Sequence, residues 1–291
     1  MSTAPVPRRR LARQLRTMRD AAGLTLEQAA KKLELSKSAL GRIEVGQTLI
    51  TVHIIRSMMD VYDQYEPDVL EMVRQAREPG WWQGYRIANL DYLAWETCAD
   101  TAHELAVARI PDLLQTEPYA QAWLSVDNCE EHDPYTVRRR VDDEMMSRIV
   151  RQQRFAGPSP IRLTTVITEA ALRKRVASAQ VMLSQWRHLA RAATWQAVNL
   201  RVLRTAANES ALCTGAFSLL GFAEPDDPPQ LYVDSPVGLL RQDKPYQVKQ
   251  ARYMFDRLFA ASLSERDSID FIECLARDVP VSELAADGGG V

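Results

Sequence analysis

The sequence predicts a mostly helical α+β protein in two parts. An all-α domain comes first, and a larger α+β domain with a small, mainly antiparallel sheet follows. Three observations carry this expectation. Apolar residues recur at helical spacing through the first 78 residues, broken by short turns. Glu78-Pro79-Gly80 then interrupts that pattern with strong turn punctuation. Beyond it, β-branched runs such as IRLTTVIT at 161–168 alternate with helical stretches. The expected organisation is a disordered arm at 1–7, a helical domain at 8–78, an α+β domain at 79–285 and a flexible Gly-rich tail at 286–291.

Taken in order, Leu11, Leu15, Met18 and Ala22 define a helix over 8–22, which Gly23 stops. Thr25 and Gln28 form a capping box for a second helix that runs to residue 33. Ser36 caps a third, which ends at Gly46. Ile54, Ile55, Met58, Met59 and Tyr62 mark a fourth over 51–65, and Pro67 opens a fifth that runs to residue 77. Trp81-Trp82 read as a hinge packed between the domains. In the second part helices are expected at 89–98, 117–124, 133–155, 169–175, 179–193, 245–261 and 264–277. Strands are expected at 103–110, 161–168, 199–205, 216–222 and 230–234.

Composition limits the function classes. The chain has 291 residues, 46% hydrophobic and 25% charged, which suits globular domains. No apolar run approaches the ~20 residues that a membrane span requires, and the basic N-terminus has no apolar stretch of a signal peptide. The cysteines Cys98, Cys129, Cys213 and Cys274 are scattered without C-x-x-C spacing, so neither a disulfide framework nor zinc is expected. A reducing cytoplasm fits. The net charge of −2 conceals an asymmetry. Residues 1–60 hold eleven Lys/Arg against five Asp/Glu, a net +6, which leaves −8 on the rest. A basic head on an acidic body is the distribution expected of a DNA-binding regulator.

The second and third helices are separated by about three residues, the connection of a helix-turn-helix. In that geometry the second helix of the pair enters the major groove with its N-terminus toward base edges. Lys37, Ser38 and Arg42 then point outward; Lys37 and Arg42 can donate to guanine O6 and N7, and Ser38 is adaptable. Ala29, Ala30, Leu33, Leu35, Leu40 and Ile43 face inward. Thr25 and Gln28, at the start of the preceding helix, are also counted as candidate DNA contacts. Arg8-Arg9-Arg10 is either an arm that reaches the minor groove or phosphates, or a solubilising helix start.

No catalytic constellation is present. HELAV at 103–107 begins like the zinc-protease motif H-E-x-x-H, but Val107 stands where the second histidine is needed. There is no Gly-rich phosphate loop and no G-x-S-x-G elbow. No enzyme activity, cofactor or metal is expected.

The motif R-x-L-A-x-x-L-R…G-L-T-x-E-x-A-A-x-x-L-x-L-S-x-S-A-L-x-R-I-E-x-G resembles the Cro/repressor-type (XRE) helix-turn-helix domain, a lambda-repressor-like all-α fold. The resemblance places Lys37, Ser38 and Arg42 on base-contacting positions. It places Gln47 and Thr48 on phosphate-contacting ones, and Arg19 and Glu44 on a structural ion pair. Two positions depart from the pattern. Leu26 stands where a phosphate-buttressing Gln is usual. Glu34 stands where Gly makes the turn, so it must adopt a left-handed backbone or rearrange that turn.

In the second part, PDLLQTEPYA at 111–120 resembles the V-P-G-L-L-Q-T-x-x-Y-A block of regulators whose body is called DUF5753, or Scr1 family antitoxin-like. Asp112 replaces the usual Gly. ITEAALR, VNLRVL, GAFSLLGF and LYVDS follow in the matching order. The resemblance implies a WhiJ-like transcriptional regulator that binds a double-stranded operator. A homodimer is expected, with a C-terminal domain that senses a ligand or a small protein encoded nearby. The alternative is an antitoxin-type module that mainly neutralises that small protein and autoregulates its operon. Leu113, Leu114, Gln115, Thr116 and Tyr119 either line a partner or ligand cleft or pack the core. No membrane association is expected; the place of action is the cytoplasm, at the nucleoid when bound to DNA.

Overall fold

The computed structural model describes residues 6–127, 133–157, 159–224, 226–236 and 238–280. The chain divides into two compact units, Met1–Gln83 and Gly84–Val291. Residues 1–5 of the expected arm, Cys129 and the expected tail at 286–291 lie outside the described residues.

The first unit is five helices: α1 (Val6–Ala21), α2 (Leu26–Lys32), α3 (Lys37–Glu44), α4 (Val52–Tyr62) and α5 (Pro67–Arg77). Their apolar stripes converge on a core that includes Leu15, Met18, Leu40, Ile55, Met58 and Val73. Val6 and Pro7 are helical, not part of an arm. Val6 is buried, and Pro7 occupies the first turn, where its missing N–H has no helical partner to lose. Arg8 Nε then donates to the Ala76 carbonyl at 3.3 Å, which ties the start of α1 to the last turn of α5. A single 3-10 turn at Trp81–Gly84 closes the unit, with the Trp81 and Trp82 rings edge to face at 5.7 Å.

Four helices in succession end in the same way. Gly23, Glu34, Gly46 and Asp63 take left-handed φ values of 67°, 56°, 73° and 51°. Each lets the following N–H reach back to a carbonyl of the last turn: Leu24 to Arg19, Leu35 to Ala30, Gln47 to Arg42 and Gln64 to Met59. This is the Schellman cap, which satisfies carbonyls the helix leaves free. Two of the four positions are not glycine, and each carries a local cost of roughly 1–2 kcal/mol.

The second unit is built on a six-stranded sheet of order β3-β2-β1-β4-β5-β6. The strands are β1 (Thr101–Ala106), β2 (Arg162–Thr168), β3 (Val198–Leu203), β4 (Phe217–Gly221), β5 (Gln230–Ser235) and β6 (Gly238–Gln242). α6 (Leu90–Glu96) precedes the sheet. α7 (Glu117–Asp127) and α8 (Pro134–Gln152) link β1 to β2; α9 (Glu169–Arg173) and α10 (Ala179–Ala192) link β2 to β3. α11 (Pro245–Ala261) and α12 (Glu265–Arg277) follow the sheet.

The sheet is mixed, with three antiparallel pairings and two parallel ones. β1–β2 and β2–β3 are parallel, whereas β1–β4, β4–β5 and β5–β6 are antiparallel. The reason lies in the connections. Helical crossovers carry the chain back to the same end of the sheet and enforce parallel pairing, while the short links after β4 allow only a meander. β1 ends earlier than expected because its partner ends there: Thr168 Oγ1 donates to the Val107 carbonyl at 2.9 Å and accepts the Ala171 N–H that opens α9. β6 lay outside the expected strands. At the other edge, β3 is covered: the Val202 N–H donates to Ser268 Oγ at 2.9 Å, and the Leu263 N–H donates to the Val202 carbonyl at 2.9 Å.

One face of the sheet packs Leu105, Val166 and Leu203 against Phe255 and Leu258 of α11. One part of the unit's interior is ionic. Arg151 of α8 donates from Nε and Nη2 to both oxygens of Glu96 at the end of α6, at 2.8 and 2.6 Å. Its Nη1 reaches Asp112 Oδ2 at 3.4 Å, and Arg148 Nη2 stands 3.6 Å from Asp112 Oδ1. Burial alone would raise the Asp112 carboxyl, but the guanidinium groups of Arg148, Arg109 and Arg151 outweigh it and hold it well below the usual range. Asp112, the departure from Gly noted in the sequence, is therefore the bridge between two arginines of α8.

Among the described residues the Glu104 carboxyl of β1 forms no ion pair. Burial, and then the Asp112 carboxylate beside it, push its carboxyl from 4.5 up to about 8. The folded state then holds a proton that the unfolded state releases above pH 4.5, so this group stabilises the fold at low pH and loses that contribution as pH rises to about 8. Glu104→Gln is expected to remove this slope: chemical unfolding midpoints should match wild type near pH 5 and exceed it at pH 8. Parallel pH profiles of the two proteins would contradict the assignment.

Candidate nucleic-acid interface

The turn between α2 and α3 is built from local chemistry. Thr25 Oγ1 accepts the Gln28 N–H at 3.3 Å, and Gln28 Oε1 accepts the Thr25 N–H at 2.9 Å, so the capping box is closed. Glu34 turns the chain left-handed, and Ser36 Oγ accepts the Ala39 N–H at 3.1 Å to start α3. Leu40 and Ile43 drop into the core, which leaves Lys37, Ser38 and Arg42 exposed on the opposite side.

The orientation of α3 is set from beneath. Arg19 Nε and Nη2 donate to Glu44 Oε1 and Oε2 at 2.7 and 2.9 Å, with both side chains buried. Arg19 Nη1 donates to Asp20 Oδ1 at 2.6 Å and to the Leu24 carbonyl at 2.8 Å. The hydrogen bond to Glu44 raises the Arg19 pKa further above its ordinary value. Burial, and then the Glu44 charge, push Tyr62 up to about 12.

The candidate contacts differ in freedom. Among the described residues the Arg42 side chain has no hydrogen bond or ion pair. Lys37 Nζ lies 3.4 Å from Glu27 Oε2 on α2, an exposed pair. Sequence reasoning missed Glu27, because only the left-handed turn brings it to a residue ten positions on. Ser38 Oγ is 3.2 Å from Ser36 Oγ. Gln47 and Thr48 are exposed just after the cap at Gly46. Thr25 and Gln28 are exposed, with their side-chain oxygens engaged in the cap. Arg8, Arg9 and Arg10 are half-buried in the first turns of α1 and have partners within the chain, which is the helix-start arrangement.

The other candidates sit in the second unit. Leu113, Leu114 and Tyr119 are fully buried. Gln115 is buried too, and donates to the Ile110 carbonyl at 2.7 Å and accepts from Arg148 Nε at 3.3 Å. Gln185 Oε1 takes the Thr116 N–H and hydroxyl at 2.7 and 3.0 Å. Leu113, Leu114, Gln115 and Tyr119 are packed interior in this structure, with Thr116 half-buried beside them. His103 and Glu104 are neighbours on a strand, and therefore face opposite sides of the sheet.

Two substitutions test this local architecture. Glu44→Ala leaves the Arg19 charge buried and unpaired and is expected to destabilise the first unit by about 3–5 kcal/mol. Glu34→Gly relieves a left-handed glutamate and is expected to stabilise it by about 1 kcal/mol. Chemical unfolding followed by circular dichroism measures both; a neutral Glu44→Ala or a destabilising Glu34→Gly would refute the respective reading.

No curated protein matches the chain. A solved structure, the clp gene regulator ClgR from C. glutamicum, is 24% identical over 26% of this chain and 96% of that one, with a TM-score of 0.23. A helix-turn-helix domain model matches residues 10–72, the region of α1 to α5. A second model, described as a domain of unknown function, DUF5753, matches residues 90–274, from α6 into α12. The chain is thus a helix-turn-helix protein that belongs to the DUF5753 family.

Proposed function

We propose that this protein is a sequence-specific DNA-binding transcriptional regulator that acts as a homodimer on an operator. Its C-terminal unit responds to a ligand or a small partner protein and performs no catalysis; its place of action is the cytoplasm, at the nucleoid. The observation that supports this best is the outward face of α3. Arg42 is exposed there without an internal partner, Lys37 is held only by a weak surface pair, and Glu44 beneath them is buried against Arg19. A free guanidinium on such a helix can donate both N–H groups of its fork to a guanine.

α3 has eight residues, which spans about 12 Å and reaches only a few base pairs. Two heads on half-sites about 34 Å apart supply the missing discrimination. Lys37, Ser38 and Arg42 are assigned to base edges. Gln47, Thr48, Thr25 and Gln28 are assigned to the phosphates that flank them.

Arg42→Ala is expected to weaken operator binding by about 1–3 kcal/mol and to relax selectivity at one base position, with the fold unchanged. Gel-shift titrations against operator and scrambled duplex measure this at fixed salt. Undiminished selectivity would sink the assignment of α3. A second expectation concerns Glu27→Gln, which releases Lys37: it should tighten binding to operator and scrambled duplex alike, by less than tenfold, and steepen the salt dependence by about one unit of slope. Unchanged affinity and slope would show that Lys37 does not meet a phosphate or base.

A further inference from the structure

The second unit holds a cavity of about 500 Å³ between α10 and α12, lined among others by Trp186, Arg187 and Arg191 of α10 and Ile269, Glu273 and Arg277 of α12. We propose that this cavity is a binding site for a small organic phosphate, a phosphate monoester whose apolar body lies against the inner wall. The inference goes beyond the proposed DNA binding and does not depend on it.

Four observations support the site. First, its size lies within the ~300–1,000 Å³ of pockets that enclose small ligands. Second, its charge is unbalanced: three solvent-exposed arginines and one glutamate line it, and among the described residues none of the three arginines forms an ion pair. Arg277 Nε only meets the Glu273 carbonyl at 3.4 Å, and Arg191 Nη2 only meets His188 Nδ1 at 3.3 Å. Third, the arginines share one lining. Arg187 and Arg191 are one helical turn apart on the same face of α10, and Arg277 lies in the last turn of α12. Fourth, the inner wall is apolar and fixed. Trp186 is 6% exposed, and its indole Nε1 donates to the Leu172 carbonyl at 3.0 Å.

The ligand class follows from the geometry of the donors. A guanidinium fork matches two oxygens of a phosphate, and a dianion with three terminal oxygens can engage more than one fork at once. A carboxylate has only two oxygens and one charge, which leaves an arginine unmatched. The wall of Trp186 and Ile269 has no donor free for a polar body, so an aryl or alkyl group suits it better than a second charged group. Burial and then the Arg191 charge lower the His188 pKa, which favours a neutral ring whose nitrogen accepts from Arg191.

The test uses the full chain and phenyl phosphate as the probe, followed by isothermal titration calorimetry at low salt. Saturable binding at one site per chain is expected. Inorganic phosphate and phenol, each half of the probe, should bind at least tenfold more weakly. Arg191→Ala and Arg277→Ala should each lose at least tenfold. Ala276→Trp, which fills the apolar wall without removing a charge, should also abolish binding. Arg257→Ala, an exposed arginine of α11 outside the cavity, should bind as wild type. Circular dichroism checks that each variant is folded. Four results would overturn the proposal: no saturable heat with phenyl phosphate, equal affinity for inorganic phosphate, undiminished binding in Arg191→Ala and Arg277→Ala, or displacement of the probe by a short oligonucleotide.

Discussion

One guanidinium organises the first unit. Arg19 is the point at which three segments meet: its own helix α1, the Leu24 carbonyl in the loop before α2, and Glu44 at the end of α3. With both ends of the α2–α3 hairpin tied to a single side chain, the hairpin has little freedom to rotate about α1. The outward face of α3 is thereby aimed by a residue that never reaches it. Energy alone is a poor reason for such a pair. Removing two charges from water offsets most of their attraction, and apolar replacements of equal volume are often as stable. What an apolar pair lacks is direction. Two parallel N–H···O bonds fix distance and plane together, and a packed leucine fixes neither.

The second unit uses the same device on a larger scale. Arg151 clamps Glu96 with two bonds and reaches Asp112 with a third nitrogen, so α6, α8 and the turn after β1 are fastened at one place. Arg148, one turn earlier, is also aimed at Asp112 and at Gln115. The network has to be nearly complete to be tolerable, since a buried charge with a missing partner costs several kcal/mol. Glu104 shows the alternative. Close to Asp112, and with no hydrogen bond to its carboxyl among the described residues, it keeps its proton instead of its charge. Two carboxyl groups in one neighbourhood thus shift in opposite directions: the arginines lower Asp112, while burial, and then Asp112 itself, raise Glu104.

Local signals in the sequence carried most of the first unit and little of the second. Helix caps are local: Thr25, Ser36 and Gly46 announce their roles within four residues, and the inward and outward faces of α3 follow from those limits and a 3.6-residue period. Glu34 was legible as a conflict, because a non-glycine residue at a left-handed position stands out against the turn around it. Sheet pairing is not local. Nothing in the β1 sequence states that it lies between β2 and β4, and the parallel register follows from how far the helices α7 and α8 carry the chain. β6 escaped notice because GLLRQ shows no clean alternation and its strand character comes from lying beside β5. Charge pairs across long separations were hidden for the same reason. Glu96 and Arg151 are 55 residues apart and meet only in the fold, while Arg19 and Glu44 were named from a family resemblance, not from spacing.

The left-handed glutamate and the Glu27–Lys37 pair bear on the same question, how strongly one head can hold DNA. Both put negative side chains on the basic unit, one beside α3 and one at the turn before it. A cation shared with a surface carboxylate must give up that contact before it meets a phosphate, so part of the gain on binding is offset. Among the described residues the Arg42 side chain has no such competitor, so under the proposed role one head would rest mainly on this arginine. Weak heads are useful when two of them act together. If each binds modestly, the joint affinity depends on how well the bodies hold the heads at the spacing of the half-sites, through the effective concentration of the second head. Anything that alters that spacing then changes occupancy by orders of magnitude, whereas a head that bound tightly alone would be insensitive to it. Under the proposed dimer, modest contact chemistry on an eight-residue helix is what would leave occupancy open to control by the second unit.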